Sequence, residues 1–202
     1  MSSVPEGALS APAAARNRAP ILEVLKAQLP ERGTVLEIAS GSGEHAAWFA
    51  AALQAITWQP SDLSAQALRS IAAWRGAASL PNLLAPVALD VTAPEWPIAA
   101  ADAIVCINMI HIAPWRAAEG LVAGAARLLP AGAPLVLYGP FREGGSTAPS
   151  NAAFDQDLRT RNGEWGVREL DAVTALAARH GFTRTARVAM PANNLSLVFR
   201  KP

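Results

Sequence analysis

Apolar residues recur along this chain in two rhythms. Short runs rich in Val, Ile and Leu, closed by Gly, Pro, Asn or Asp, alternate with longer stretches whose apolar positions fall three and four residues apart. The first rhythm predicts strands at Thr34 to Ile38, Ile56 to Asp62, Leu83 to Leu89, Asp102 to Asn108 and Pro134 to Tyr138. The second predicts a helix through Ile21, Leu22, Val24, Leu25 and Leu29, with Pro20 in its first turn and Pro30 ending it. It predicts others over Glu44 to Leu53, Ala65 to Ala77, Arg116 to Leu129 and Glu169 to His180, the last ended by Gly181. Ser150-Asn-Ala-Ala-Phe-Asp155 opens a short helix with Ser150 or Asn151 as its cap. Phe182 to Met190 and Leu195 to Arg200 read as a hairpin about Pro191-Ala-Asn-Asn194. Strand alternating with helix predicts an α/β fold with a mostly parallel sheet, its fourth strand apolar enough to be central. Residues 1–15, rich in Pro, Ala and Ser, are expected to be loose, and residues 16–202 to form one domain.

The junction of the first strand and its helix concentrates the chemistry. Val35-Leu-Glu-Ile-Ala-Ser-Gly-Ser-Gly43 puts Ser40-Gly-Ser-Gly between them as a tight turn. Gly41 and Gly43 lack a Cβ, so the backbone can take φ > 0 and lie against a ligand. The helix behind them aims its free N–H groups at the same place. A dinucleotide fingerprint reads G-x-G-x-x-G. Here the third glycine is Ala46, and Glu44 stands where a pyrophosphate would sit. That charge repels a diphosphate and suits S-adenosylmethionine (SAM), which is cationic and carries no phosphate. Glu37 is placed to bind the SAM ammonium, directly or through water. Asp62 lies 19 residues beyond Gly43, close to the spacing of the acidic residue that takes ribose hydroxyls in nucleotide-binding folds. It equally suits an N-cap for the helix starting at Ser64.

Asp90 closes the third strand, where its carboxylate can accept from an adenine amino group with Val91 against the ring; an ordinary strand-end aspartate is the other reading. Leu63 and Met109 join the cofactor candidates. Open parallel sheets bind ligands beyond the carboxyl ends of their strands, at the switch point. Asn108 to Trp115, after the fourth strand, should therefore border both cofactor and substrate. Asn108 is a cofactor candidate, and His111 and Tyr138 are candidates for positioning or proton transfer; a structural hydrogen-bonder is the alternative for His111. Trp115, Phe141, Asn151, Asn193 and Asn194 are candidate substrate contacts, although asparagines also serve turns. In Arg16-Asn-Arg18 one arginine, Arg16 foremost, can reach over the pocket to the SAM carboxylate, or both belong to a solvated face. Gly139 to Pro149 reads as a long loop over the same edge.

Composition narrows the partners. Half the 202 residues are hydrophobic and 16% are charged, with a formal net charge of +1, which gives no bulk attraction to nucleic acid. One cysteine, Cys106, excludes an intramolecular disulfide and a Cys-rich zinc site, and His45, His111 and His180 have no ligand spacing, so no metal is expected. No apolar stretch is long enough to span a membrane, and a cytoplasmic protein is the default. Nothing indicates the oligomeric state.

The pattern Glu37…Gly41-x-Gly43 resembles the first motif of class I SAM-dependent methyltransferases. Arg-Asn-Arg, Glu-Ile-Ala-Ser-Gly-Ser-Gly-Glu-His, Trp-Gln-Pro-Ser-Asp, Asn-Met-Ile-His-Ile, Tyr-Gly-Pro-Phe, Ser-Asn-x-x-Phe-Asp, Trp-Gly and Met-Pro-Ala-Asn-Asn follow in order over about Ala15 to Arg200. Together they resemble a small group of predicted class I methyltransferases of unknown function, with bacterial members and animal methyltransferase-like relatives. The resemblance implies a Rossmann-like fold: a mostly parallel seven-stranded sheet, helices on both faces and a C-terminal antiparallel hairpin. It implies SAM as cofactor, with Glu37, Gly41, Gly43 and Asp62 holding it and Asp90 and Asn108 assisting, and it implies no particular substrate. No Asn-Pro-Pro-aromatic or Asp-Pro-Pro-aromatic motif follows the fourth strand, which removes support for methylation of exocyclic amines of bases or of glutamine. The expected function is methyl transfer to an O, N or S atom of a small, partly apolar molecule. A non-catalytic SAM-binding or partner-binding protein on this fold is the alternative. An NAD(P)-dependent oxidoreductase is a second, disfavoured by Glu44 and the terminal hairpin.

Overall fold

The computed structural model describes residues 4–202. Helix α1 (Pro12–Gln28) leads into β1 (Gly33–Ile38), α2 (Glu44–Ala52), β2 (Ile56–Asp62), α3 (Ala65–Ala78) and β3 (Val87–Ala88). Then come β4 (Ala103–Ile107), α4 (Trp115–Leu128), β5 (Pro134–Arg142), α5 (Pro149–Arg161), β6 (Arg168–Glu169), α6 (Leu170–Arg179), β7 (Thr183–Met190) and β8 (Asn194–Arg200). The strands lie in the order β3-β2-β1-β4-β5-β8-β7. β1 to β5 run parallel, β8 runs antiparallel to β5, and β7 is antiparallel to β8 and so parallel to the rest. The carboxyl ends of β1, β2, β4, β5 and β7 therefore share one edge.

Alternating side chains divide the core between the two faces of this sheet. Val35, Trp58, Val105, Val136 and Val198 pack under α1 and α2, with Phe49 of α2 fully buried among them. Leu36, Ile104, Cys106, Leu135 and Leu197 pack under α4 and α6. Burial pushes the Cys106 thiol up to about 12, so it is an inert core residue.

Several boundaries differ from expectation. α1 starts at Pro12, not near Pro20: Pro12 takes the first helical position, where a missing N–H is harmless, and Pro20 lies inside the helix. Nor is the whole stretch before Ala15 loose. The Leu9 N–H donates to Ser70 Oγ, Trp74 Nε1 donates to the Leu9 carbonyl, and the Ala11 N–H donates to Glu44. The third strand shrinks to two residues, because Pro81 and Pro86 lack donors; Leu83 makes only an isolated bridge to Trp58. β5 runs on to Arg142, since Gly139 and Pro140 pair with Leu195 and Asn194, and Phe141 and Arg142 pair with an eighth strand, β6, beyond the seven expected. α5 is capped at Ala148 with Pro149 as its first residue, which puts Ser150 and Asn151 inside it. Among the described residues no helix is long and apolar enough to cross a membrane.

Candidate active site

The glycine turn sits at the carboxyl end of β1 between β2 and β4, the point where strand order reverses. Hydrogen bonds from the end of β2 stitch it in place. The Ser40 N–H donates to the Ser61 carbonyl at 2.8 Å, and Ser61 Oγ donates to the Glu37 carbonyl at 2.7 Å. Gly43 has φ +90° and packs so closely on α3 that a Cβ would come within 2.8 Å of Ile71 Cα. Gly41 has φ +57° and faces open space, with no heavy atom within 4 Å of where a Cβ would stand. The two glycines thus do different work: one admits α3, the other leaves the backbone bare to the crevice.

Asp62 anchors the far side. Its Oδ2 accepts from the Gly41 N–H at 3.0 Å and its Oδ1 from the Ser64 N–H at 2.8 Å. Each oxygen keeps lone pairs for further donors. The N-cap of α3 is Ser64, whose hydroxyl accepts from the Ala67 N–H, and not Asp62. Leu63 beside it is 68% exposed. Asp90 accepts from the Thr92 hydroxyl and N–H, which lower its pKa, while Val91 is buried against Gly120 of α4. Asn108 has φ +62°, an αL position that asparagine tolerates, and its side chain makes no hydrogen bond among the described residues. Met109 follows it in a 3-10 turn, Met109–His111.

Glu37 does not point freely into the crevice. It is buried, and its Oε2 accepts from Ser40 Oγ at 2.9 Å and Trp58 Nε1 at 3.1 Å. Burial raises its pKa to about 7 against the pull of those donors. Glu44, expected to face a ligand at the start of α2, instead turns its carboxylate to the Ala11 N–H and is buried. Arg16 is exposed and makes no ion pair among the described residues, and Arg18 stacks on Trp48 at 3.9 Å. The inward residue of that triplet is Asn17. Its Oδ1 lies 2.8 Å from His45 Nε2. His45 is held neutral by burial and by Arg18, its pKa lowered to about 4. The Asn17 role was not legible in sequence, where the flanking charges drew attention.

Neither candidate for proton transfer is built as a base. His111 is fully buried; its Nδ1 accepts from the Arg168 N–H at 3.3 Å, and its ring meets Phe141 edge-on at 4.9 Å. Nε2 abuts Gly139, where any Cβ would overlap it, and has no partner among the described residues. Burial, with Arg168 nearby, lowers the pKa to about 3. A neutral imidazole with Nδ1 occupied carries its proton on Nε2, which leaves no free lone pair for a second proton. Tyr138 is likewise buried, and burial raises its pKa, so the phenol keeps its proton.

The remaining motifs surround a cleft of about 500 Å³ beyond the ends of β5 and β7. Phe141, Asn151, Asn193 and Asn194 line it, with Thr147 and Arg187. Trp115 does not line it; this aromatic packs on the α4 core with the Arg168 guanidinium 5.7 Å from its ring. Asp155 of α5 is buried and accepts from Arg142, Arg159 and the Val167 N–H. Arg168 is the residue that sequence reading missed. It donates to the carbonyls of Ile110, Ala113 and Glu164, pinning the β6 segment onto the loop after β4. The Trp165-Gly166 pair beside it was the available signal. Among the described residues no three His, Cys, Asp or Glu side chains gather to hold a metal.

The parallel sheet ending in an antiparallel pair, with a glycine turn at its switch point, defines a Rossmann-like fold of the methyltransferase type. The chain belongs to the family described as "Protein of unknown function (DUF938)", whose sequence profile matches residues 8–201. Solved structures share the fold. One is the O-methyltransferase family 2 protein from Planctomyces limnophilus in complex with apigenin: TM-score 0.82, 20% identity, 94% of this chain and 58% of that one. Another is an O-methyltransferase family protein from Burkholderia thailandensis: TM-score 0.79, 18% identity, 94% and 57%. CalO1, a methyltransferase of calicheamicin biosynthesis in its SAH-bound form, has a TM-score of 0.72 at 17% identity, over 92% and 54%. This chain thus spans little more than half the length of the chains it matches.

Proposed function

We propose that this protein binds SAM in the crevice at the carboxyl ends of β1, β2 and β4 and transfers its methyl group to a small molecule. The observation that carries the reading is the pairing of Gly41 with Asp62. A bare αL glycine faces open space, and a carboxylate fixed by two backbone N–H groups stands over it with lone pairs to spare. These features fit an adenosine: ribose hydroxyls on Asp62, with Val91, Met109 and Leu63 offering apolar contact to the base. Asn108 has an uncommitted amide beside them. Glu37 acts through Ser40, bracing the turn, and its charge responds to a cation placed nearby.

SAM supplies a methyl group already activated by a sulfonium. The chain's part is to align the acceptor and exclude water. With His111 and Tyr138 both holding their protons, the residues described here favour acceptors that need no strong base. SAH seen bound in CalO1, and the methyltransferase descriptions of the other neighbours, support the cofactor assignment. Glu44 serves the Ala11 N–H and does not face a ligand; the antiparallel β8 and the glycine spacing disfavour a diphosphate. Titration calorimetry tests the reading. SAM and S-adenosylhomocysteine are expected to bind and NAD not to. Binding of NAD in their place, or of neither at millimolar concentration, overturns it.

A further inference from the structure

His111 ends in a donor that no other described residue uses. The Arg168 N–H occupies Nδ1, so the ring proton sits on Nε2. Nε2 is buried and has no partner among the described residues. A buried N–H left unpaired is costly, and folded chains leave few of them. Burial, with Arg168 nearby, keeps the ring neutral with a pKa of about 3, so the single proton stays on Nε2 across the neutral range.

The gap beside Nε2 is made by Gly139. A Cβ on that residue would stand 2.4 Å from His111 Nε2 and 3.2 Å from Asn108 Oδ1. A glycine thus lets the unused donor and an acceptor approach the same point, where any side chain would overlap the ring. Asn108 is held by its backbone alone. Its N–H donates to the Tyr138 carbonyl at 2.8 Å, and its carbonyl accepts from the His111 N–H at 3.0 Å. Its half-buried amide makes no hydrogen bond among the described residues and is not sealed from the crevice. The side chain can therefore turn without breaking a bond while the backbone keeps its αL conformation.

We infer that His111 is a positioning residue for the cofactor: its Nε2–H takes Asn108 Oδ1, which turns Asn108 Nδ2 outward as a donor to a hydrogen-bond acceptor of the bound nucleoside. The inference rests on the SAM reading above. The polarity is set from β6 inward: Arg168 N–H to His111 Nδ1, His111 Nε2–H to Asn108 Oδ1, Asn108 Nδ2–H to the ligand. The opposite amide orientation would set Nδ2 against Nε2–H, donor against donor. The ligand's acceptor is a ring nitrogen of the base or the carboxylate of the amino-acid part. His111 touches neither and acts only through Asn108.

Calorimetry with S-adenosylhomocysteine on the full chain tests this. Asn108→Ala and His111→Leu should each weaken binding about tenfold, and the double variant should lose no more than Asn108→Ala alone. His111→Gln, which restores an N–H donor, should recover most of the loss. A His111 that only supports the fold would instead give losses that add to about a hundredfold, with Gln no better than Leu; that result overturns the inference. NMR on the natural protein gives a readout that needs no variant to fold. The His111 Nε2 proton should move downfield as S-adenosylhomocysteine is added, because it gains its acceptor; a signal that stays in place overturns the inference. 5′-Methylthioadenosine, which lacks the amino-acid part, separates the two ligand atoms. An Asn108→Ala loss shared by both ligands assigns a ring nitrogen, and a loss confined to S-adenosylhomocysteine assigns the carboxylate. No binding of S-adenosylhomocysteine by the natural protein sinks the cofactor reading and this inference together, whereas binding with additive losses sinks only this one.

Discussion

The backbone N–H of Arg168 donates to Nδ1 of His111, which fixes the imidazole as a donor with its proton on Nε2. The same arginine grips the loop after β4 through the Ile110 and Ala113 carbonyls. His111 is therefore a pin between the β4 loop and β6. Its folded pKa, like that of His45, lies well below the usual 6.5.

A titration follows from this. The imidazole signals of His111 and His45 should stay at their neutral positions between about pH 5 and pH 8. Both pKa values are lower in the folded chain than in the unfolded one. The unfolded chain thus takes up these protons first, and their contribution to stability is lost as pH falls below about 6.5. A His111 signal that titrates near its unperturbed value would restore it as a candidate base.

Glu37 runs the other way. Its folded pKa of about 7 lies above the ordinary glutamate value of 4.5, so its contribution to stability is present at low pH and lost as pH rises through that window. Glu37→Gln retains an acceptor for Trp58 Nε1 and carries no charge. In chemical denaturation the variant should gain on the natural protein between pH 4.5 and about 7, by at most about 3 kcal/mol. A difference that does not change with pH would show that the carboxyl is not held protonated by burial.

The two glycines of the turn should separate stability from binding. Gly43→Ala forces a Cβ against Ile71 Cα at φ +90° and should destabilise the protein by about 3 kcal/mol. Gly41→Ala meets open space at φ +57° and should cost about 1 kcal/mol. Its Cβ would stand where the nucleoside approaches, so SAM affinity should fall at least about tenfold. Thermal unfolding and calorimetry on the two variants give both numbers. Unchanged SAM affinity in Gly41→Ala would place the cofactor elsewhere.

The sheet was legible because apolar runs of β-branched residues alternate with helical spacing, and the turn after β1 was legible because two glycines so close behind a strand mark a tight bend. Boundaries governed by pairing were not. Gly139 and Pro140 read as loop locally, yet β8 and β6 extend β5 through them. Side-chain direction was also hidden. Glu44, Arg18 and His111 each had the right chemistry for a ligand, and each is occupied by another part of the chain, the Ala11 N–H, Trp48 and Arg168. Arg168 itself gave little signal beyond the neighbouring Trp165-Gly166, because the Ile110 and Ala113 carbonyls it binds lie more than fifty residues away.

A crystal grown with S-adenosylhomocysteine tests the central claim most directly. The ribose hydroxyls should sit on Asp62 with the nucleoside against Gly41, and the sulfur should face the β4 and β5 edge toward the Phe141 cleft. Nucleoside density at any other place, or a turn that stays bare at saturating ligand, would contradict it.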